Sequence, residues 1–141
     1  MIVSGKTTLC KYISYKWSLG QLLKEFDWVF MIPLKKILSS FPPTHEIVTM
    51  ETILRKLFLG KNEDGGELFD EGQAKVFWRY VDHERVLFIL DGYDEVYTSD
   101  NEAVNDLLQQ RKYLLTSRPY SDITCNEDLS DYIVENIGFT E

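Results

Sequence analysis

The 141-residue sequence predicts an α/β fold, a three-layer α/β/α arrangement around a mainly parallel sheet. Three observations carry that expectation. Apolar runs of strand length alternate with amphipathic stretches of helix length, the order that parallel strands joined by crossover helices require. The run Val86-Leu87-Phe88-Ile89-Leu90 is apolar at every position, as a strand covered on both faces must be. A length near 150 residues is that of one domain, and 44% hydrophobic against 27% charged residues is the balance of a globular chain rather than a disordered one.

Taken in order, Thr7 to about Leu23 reads as a first helix with Leu9, Tyr12, Ile13 and Trp17 on one face, loosened at its end by Gly20. Phe26 to Leu34 (FDWVFMIPL) reads as a buried interior strand whose end Pro33 sets at a sheet margin or a bulge. Ser39 to Thr44 (SSFPPT) is expected as a loop. Thr49 to Leu59 is a helix with the stripe Ile53, Leu54, Leu57 and Phe58. Gly60 to Gly66 (GKNEDGG) is a turn cluster. Glu67 to Val81 is a third helix carrying Leu68, Phe69, Val76, Phe77 and Tyr80. The strand at Val86 follows, then a short helix from Glu102 to Gln110, a strand from Tyr113 to Thr116, and a last strand from Asp131 to Ile137.

Charge narrows the classes of function. The net charge is −8, with 9 basic and 4 acidic residues in 1–61 and 6 basic and 19 acidic in 62–141. An acidic total argues against a protein that tracks a nucleic-acid backbone, although the basic half can still hold a small anion. Cys10 and Cys125 lie far apart, and with His45 and His83 they offer neither a zinc-ligand spacing nor a disulfide framework. No apolar run approaches the twenty or so residues that span a bilayer, and no basic-then-apolar leader opens the sequence. The expectation is a soluble, cytoplasmic protein with no membrane partner.

Two short segments carry chemistry. Ser4-Gly5-Lys6-Thr7-Thr8 sits directly before the first helix, where a phosphate-binding loop of the form G-x-x-x-x-G-K-[ST] belongs. Backbone N–H groups and the positive helix end surround phosphates there. Gly5 lets the backbone approach, Lys6 neutralises the β- and γ-phosphates, the Thr7 hydroxyl ligates Mg²⁺, and Thr8 adds a hydroxyl to the α-phosphate. A bare GK[ST] recurs by chance in roughly one chain in ten of this length, so a second site is needed. Asp91 supplies it. It ends the most strand-like run in the chain, at the strand edge where ligands of open parallel sheets sit, and suits a Mg²⁺-holding carboxylate. Asp94 and Glu95 follow closely, and three carboxylates in five residues repel one another unless a cation is near. Arg118, after the strand at Tyr113, is expected on the same edge, where it can read a γ-phosphate.

With those residues the chain resembles the NACHT family of P-loop NTPases, within the STAND class of signalling switches. SGKTTLCKYISYKWSLGQLLKEFDWVFMIPL is similar to the family's phosphate loop (Walker A), first helix and second strand. FILDGYDEV resembles its modified Walker B, LLTSRP its sensor strand, and IVENIGFTE the stretch that follows. The resemblance implies a P-loop NTPase fold and a NACHT nucleotide-binding core over 1–141. It implies that Ser4, Gly5, Lys6, Thr7 and Thr8 hold the phosphates of ATP or ADP, and that Thr7 and Asp91 hold Mg²⁺. Asp94 with Glu95 would position or activate the attacking water, and Arg118 would sense the γ-phosphate. The activity implied is slow ATP exchange or hydrolysis in an innate-immunity-like switch, with self-association or regulatory domains in the full-length protein.

The sequence departs from the family in lacking the hydrophobic strand and the first glycine before the loop, and in carrying Ile2 and Val3 where small residues are usual. The expectation is therefore an N-terminally truncated core whose strands at Phe26, Val86 and Tyr113 still pair side by side. Two alternatives stand beside the switch. One is a degenerate, non-catalytic interaction or scaffold fragment without a complete P-loop. The other, a small-molecule phosphotransferase, would need a basic lid that the acidic second half does not offer.

Overall fold

The computed structural model describes residues 5–41, 48–58 and 71–118. Within them, helix α1 (Lys6–Ser18) is followed by β1 (Trp28–Pro33), α2 (Leu34–Ser40), α3 (Met50–Phe58) and α4 (Glu71–Tyr80). Then come β2 (Val86–Asp91), α5 (Glu102–Leu108) and β3 (Tyr113–Leu115), with single 3-10 turns at His83–Arg85 and Tyr93–Glu95. The three described strands form one parallel sheet in the order β1-β2-β3. The strands that the sequence pairs side by side are thus side by side, and the α/β expectation holds.

The pleat of β2 divides the core into two layers. Val86, Phe88 and Leu90 face α2, α3 and α5, packing with Ile37, Ile53, Leu54 and Leu107. Leu87 and Ile89, one residue out of phase, face α1 and pack with Cys10, Ile13 and Leu114. Each of these apolar side chains contributes about 1.5–3 kcal/mol on leaving water, so an all-buried β2 is the largest concentration of stabilising contacts in the sheet.

Several expectations need correction. Strand β1 is not interior among the described strands. Among them it pairs with β2 alone and Trp28 is 44% exposed, yet both of its faces are covered, Phe30 and Ile32 packing in the layer of α2, α3 and α4 and Val29 and Met31 in the layer of α1. Pro33 ends β1 and at once caps α2, a helix that runs to Ser40 through residues expected as strand end and loop. Proline fixes its own φ near the helical value and lacks the N–H that a helix start leaves unpaired, so strand can pass into helix there without a linker. Helix α1 stops at Ser18, with Gly20 at φ 66°. Its inward stripe is Cys10, Ile13 and Trp17, whereas Leu9 and Tyr12 are exposed. In α4 the inward residues are Ala74, Phe77 and Trp78, and Val76 and Tyr80 face solvent. The turn cluster at 60–66, the helix start at 67–70 and the last strand at 131–137 lie outside the described residues.

One polar side chain ties this layer together. Asn101, buried at the start of α5, accepts from the N–H groups of Ala103 and Val104 at 3.0 and 3.2 Å and donates to the Phe41 carbonyl at 2.8 Å. It caps one helix and anchors the end of another. Asn101→Ala removes the cap and orphans a carbonyl, and is expected to cost about 2–3 kcal/mol. A urea midpoint lowered at constant slope checks it.

Candidate functional site

Because all three strands run the same way, their carboxyl ends share one edge. Asp91 is the last residue of β2, and the register Leu90↔Leu115 makes Thr116 its neighbour past β3. The N-terminus of α1 reaches the same edge through Gly5, whose φ of 63° puts the chain in a left-handed turn immediately before Lys6. Gly92, at φ 85°, makes the corresponding turn after Asp91 and starts the 3-10 turn that carries Asp94 and Glu95.

Asp91 is 8% exposed, and its carboxylate accepts from hydroxyls. Thr7 Oγ1 donates from 2.6 Å and Thr116 Oγ1 from 2.7 Å, with the Cys10 thiol at 3.8 Å. Thr116 is itself fixed, accepting from the Gly92 N–H at 3.1 Å while its main chain bonds to Leu90 and Tyr93. Burial, and after it the Asp91 charge, pushes the Cys10 thiol up to about 11, so it stays a neutral donor at physiological pH.

Asp94 is held differently. Lys6 Nζ lies 3.0 Å from Oδ1, the Arg118 N–H donates to the same oxygen at 3.2 Å, and Arg118 Nε is 3.6 Å from Oδ2. The Asp94 side chain is only 6% exposed. Its burial by itself raises the carboxyl, but the Lys6 hydrogen bond, the Arg118 N–H and the Lys6 charge outweigh this and hold it below the usual 3.8. A carboxyl depressed on folding contributes stability above its unfolded value and loses it as pH falls through the folded one. Thermal midpoints measured downward from pH 5 are expected to fall below about pH 4, with a shallower slope in Asp94→Asn.

The expected cluster of acids therefore separates. Asp91 turns to neutral hydroxyls, Asp94 to two cationic side chains, and Glu95 outward, about half exposed with Lys35 Nζ 3.9 Å away. Protein donors answer the repulsion that the sequence assigns to a cation. Thr8 is exposed in the first turn of α1, and Ser4 lies outside the described residues. Sequence reasoning assigns no role to Thr116 or Cys10. Thr116 carries a signal all the same, a hydroxyl directly after an apolar strand at the same strand end as Asp91. Among the described residues no group of three or more His, Cys, Asp or Glu side chains is arranged to hold a metal, and no helix is long and apolar enough to cross a membrane.

Comparison with known proteins identifies the family. The family profile described as NACHT domain matches residues 4–140. A mouse protein named "NACHT, LRR and PYD domains-containing protein 10" is 32% identical over 123 residues, covering 82% of this chain and 16% of the mouse protein. The chain thus spans about a sixth of that relative's length. No solved structure gives a significant match. The match over almost the whole chain, together with the convergence of Lys6, Thr7, Asp91 and Asp94 on one sheet edge, makes the chain a member of the NACHT family of P-loop NTPases, a nucleotide-binding module.

Proposed function

We propose that the chain binds ATP or ADP with Mg²⁺ at the edge formed by Gly5–Thr8, Asp91, Asp94 and Arg118, and works as the nucleotide-responsive switch of a larger cytoplasmic signalling protein of innate-immunity type. The observation that carries this is the 2.6 Å contact between the Thr7 hydroxyl and the Asp91 carboxylate. Two hard oxygen donors from separate elements meet there, the donor chemistry that Mg²⁺ takes. Lys6 beside them is 17% exposed, reachable by a phosphate.

In this reading Thr7 and Asp91 hold the metal, and Thr116, bonded to the same carboxylate, fixes its rotamer. Bound Mg²⁺ would supply neutralisation of the β- and γ-phosphate oxygens. Gly5, Lys6 and Thr8 surround the phosphates with the first-turn N–H groups of α1, which have no partner within the helix. Ser4 belongs to the same loop. Asp94, with Glu95 at the rim, orients water toward the γ-phosphate, and Arg118 senses that phosphate. Hydrolysis is slow, as fits a switch. Self-association and regulation belong to other domains of the full-length protein, of the kinds named in the mouse relative.

Asp91→Asn tests the metal assignment. It keeps the size and part of the hydrogen bonding but removes the charge. The Mg²⁺-dependent gain in nucleotide affinity is expected to disappear while metal-free binding persists. An unchanged Mg²⁺ dependence in a folded Asp91→Asn chain refutes the assignment.

A further inference from the structure

We propose that Asp94 is an internal stand-in for phosphate in the nucleotide-free chain, so that an incoming nucleotide must displace it from Lys6 and Arg118. The inference rests on the nucleotide reading above and adds a regulatory contact to it. Lys6 Nζ, the Arg118 N–H and Arg118 Nε all approach this one carboxylate, at 3.0, 3.2 and 3.6 Å. Ammonium, guanidinium and backbone N–H are the donors a phosphate oxygen takes, and they are brought together here by a protein carboxylate.

The contrast with Asp91 makes the arrangement selective. Three residues earlier on the same edge, Asp91 takes hydroxyls and a thiol and has no cationic partner among the described residues. One acid is thus left available to a cation, while the other already occupies the cationic groups. At 6% exposure Asp94 cannot exchange Lys6 for water cheaply, so the pair persists until another anion replaces it. Nucleotide arrival and the release of Asp94 are then one exchange. The carboxylate freed by it is the group assigned to orient water, which keeps that group engaged elsewhere until phosphate is present.

The test is the affinity of the chain for a fluorescent ADP analogue in the presence of a metal chelator. Asp94→Asn removes the competing charge and is expected to tighten binding about tenfold, the scale of one charge contact in a partly shielded site. The same substitution in a Lys6→Met background is expected to change affinity less than twofold. Equal or weaker binding by a folded Asp94→Asn chain overturns the proposal. Should that variant not fold, the wild-type chain decides by amine acylation followed by mass spectrometry. Lys6 in the nucleotide-free chain is expected to react at least about tenfold more slowly than Lys35, whose side chain is 82% exposed. Equal rates overturn the proposal. A folded wild type that binds no nucleotide even with Mg²⁺ refutes the underlying reading, a different result from a wild type that binds and an Asp94→Asn chain that fails to tighten.

Discussion

Lys6→Ala is expected to lower the affinity for Mg²⁺–ATP by at least about 100-fold, a loss of roughly 3 kcal/mol. Charge-assisted hydrogen bonds to phosphate are among the strongest a side chain makes, and Lys6 is the ammonium held at the start of α1, 3.0 Å from Asp94. The substitution also acts on the fold. It leaves Asp94 with Arg118 as its cationic neighbour, the Nε of which is 3.6 Å away, and a carboxylate so little exposed is costly to leave under-neutralised. A drop of about 1–3 kcal/mol in unfolding free energy is therefore expected beside the binding loss. Isothermal titration at a temperature well below the variant's unfolding midpoint separates the two effects. Affinity within threefold of the wild type would remove Lys6 from the phosphate site.

Phe88→Ala has the largest expected effect on stability, about 3–5 kcal/mol. Phe88 is 2% exposed at the centre of β2, stacked on Phe30 with ring centroids 5.6 Å apart and tilted against Trp78 at 6.1 Å. It joins the sheet to β1 and α4 at once, so no single neighbour can move to fill the cavity without leaving another contact. For a domain with about 5–15 kcal/mol to spare, that loss takes much of the total. Urea unfolding followed by tryptophan fluorescence measures it directly, since Trp78 reports on the same cluster. A shift below 1 kcal/mol would mean that the aromatic cluster repacks.

The β2 run was legible in the sequence because six consecutive residues, all buried, leave no other element to suit them. Asp91 was legible for the same reason, since it ends that run. Strand β1 reads as interior because apolar residues line both of its faces, Phe30 and Ile32 on one and Val29 and Met31 on the other, and composition does not tell a covered edge strand from an interior one. Helix α2 was hidden by Pro33, whose breaking role at the end of a strand is also a starting role for a helix. The partners of the three acids were only partly legible. The resemblance brings Thr7 and Asp91 together, but whether Asp94 meets Lys6 depends on how α1 lies across the strand ends, a tertiary placement with no local signature. Thr116 is the residue that sequence reasoning passed over although its position was readable, one step beyond β3 and level with Asp91.

The most direct test of the central claim is titration of the purified chain with a fluorescent ATP analogue, with Mg²⁺ and then with a chelator. We expect saturable binding that tightens when Mg²⁺ is added and is competed by unlabelled ATP and ADP. A folded chain, cooperative in thermal unfolding, that shows no saturable binding in either condition would contradict the nucleotide-switch reading and leave the Lys6–Asp94 and Thr7–Asp91 contacts as structural ties alone.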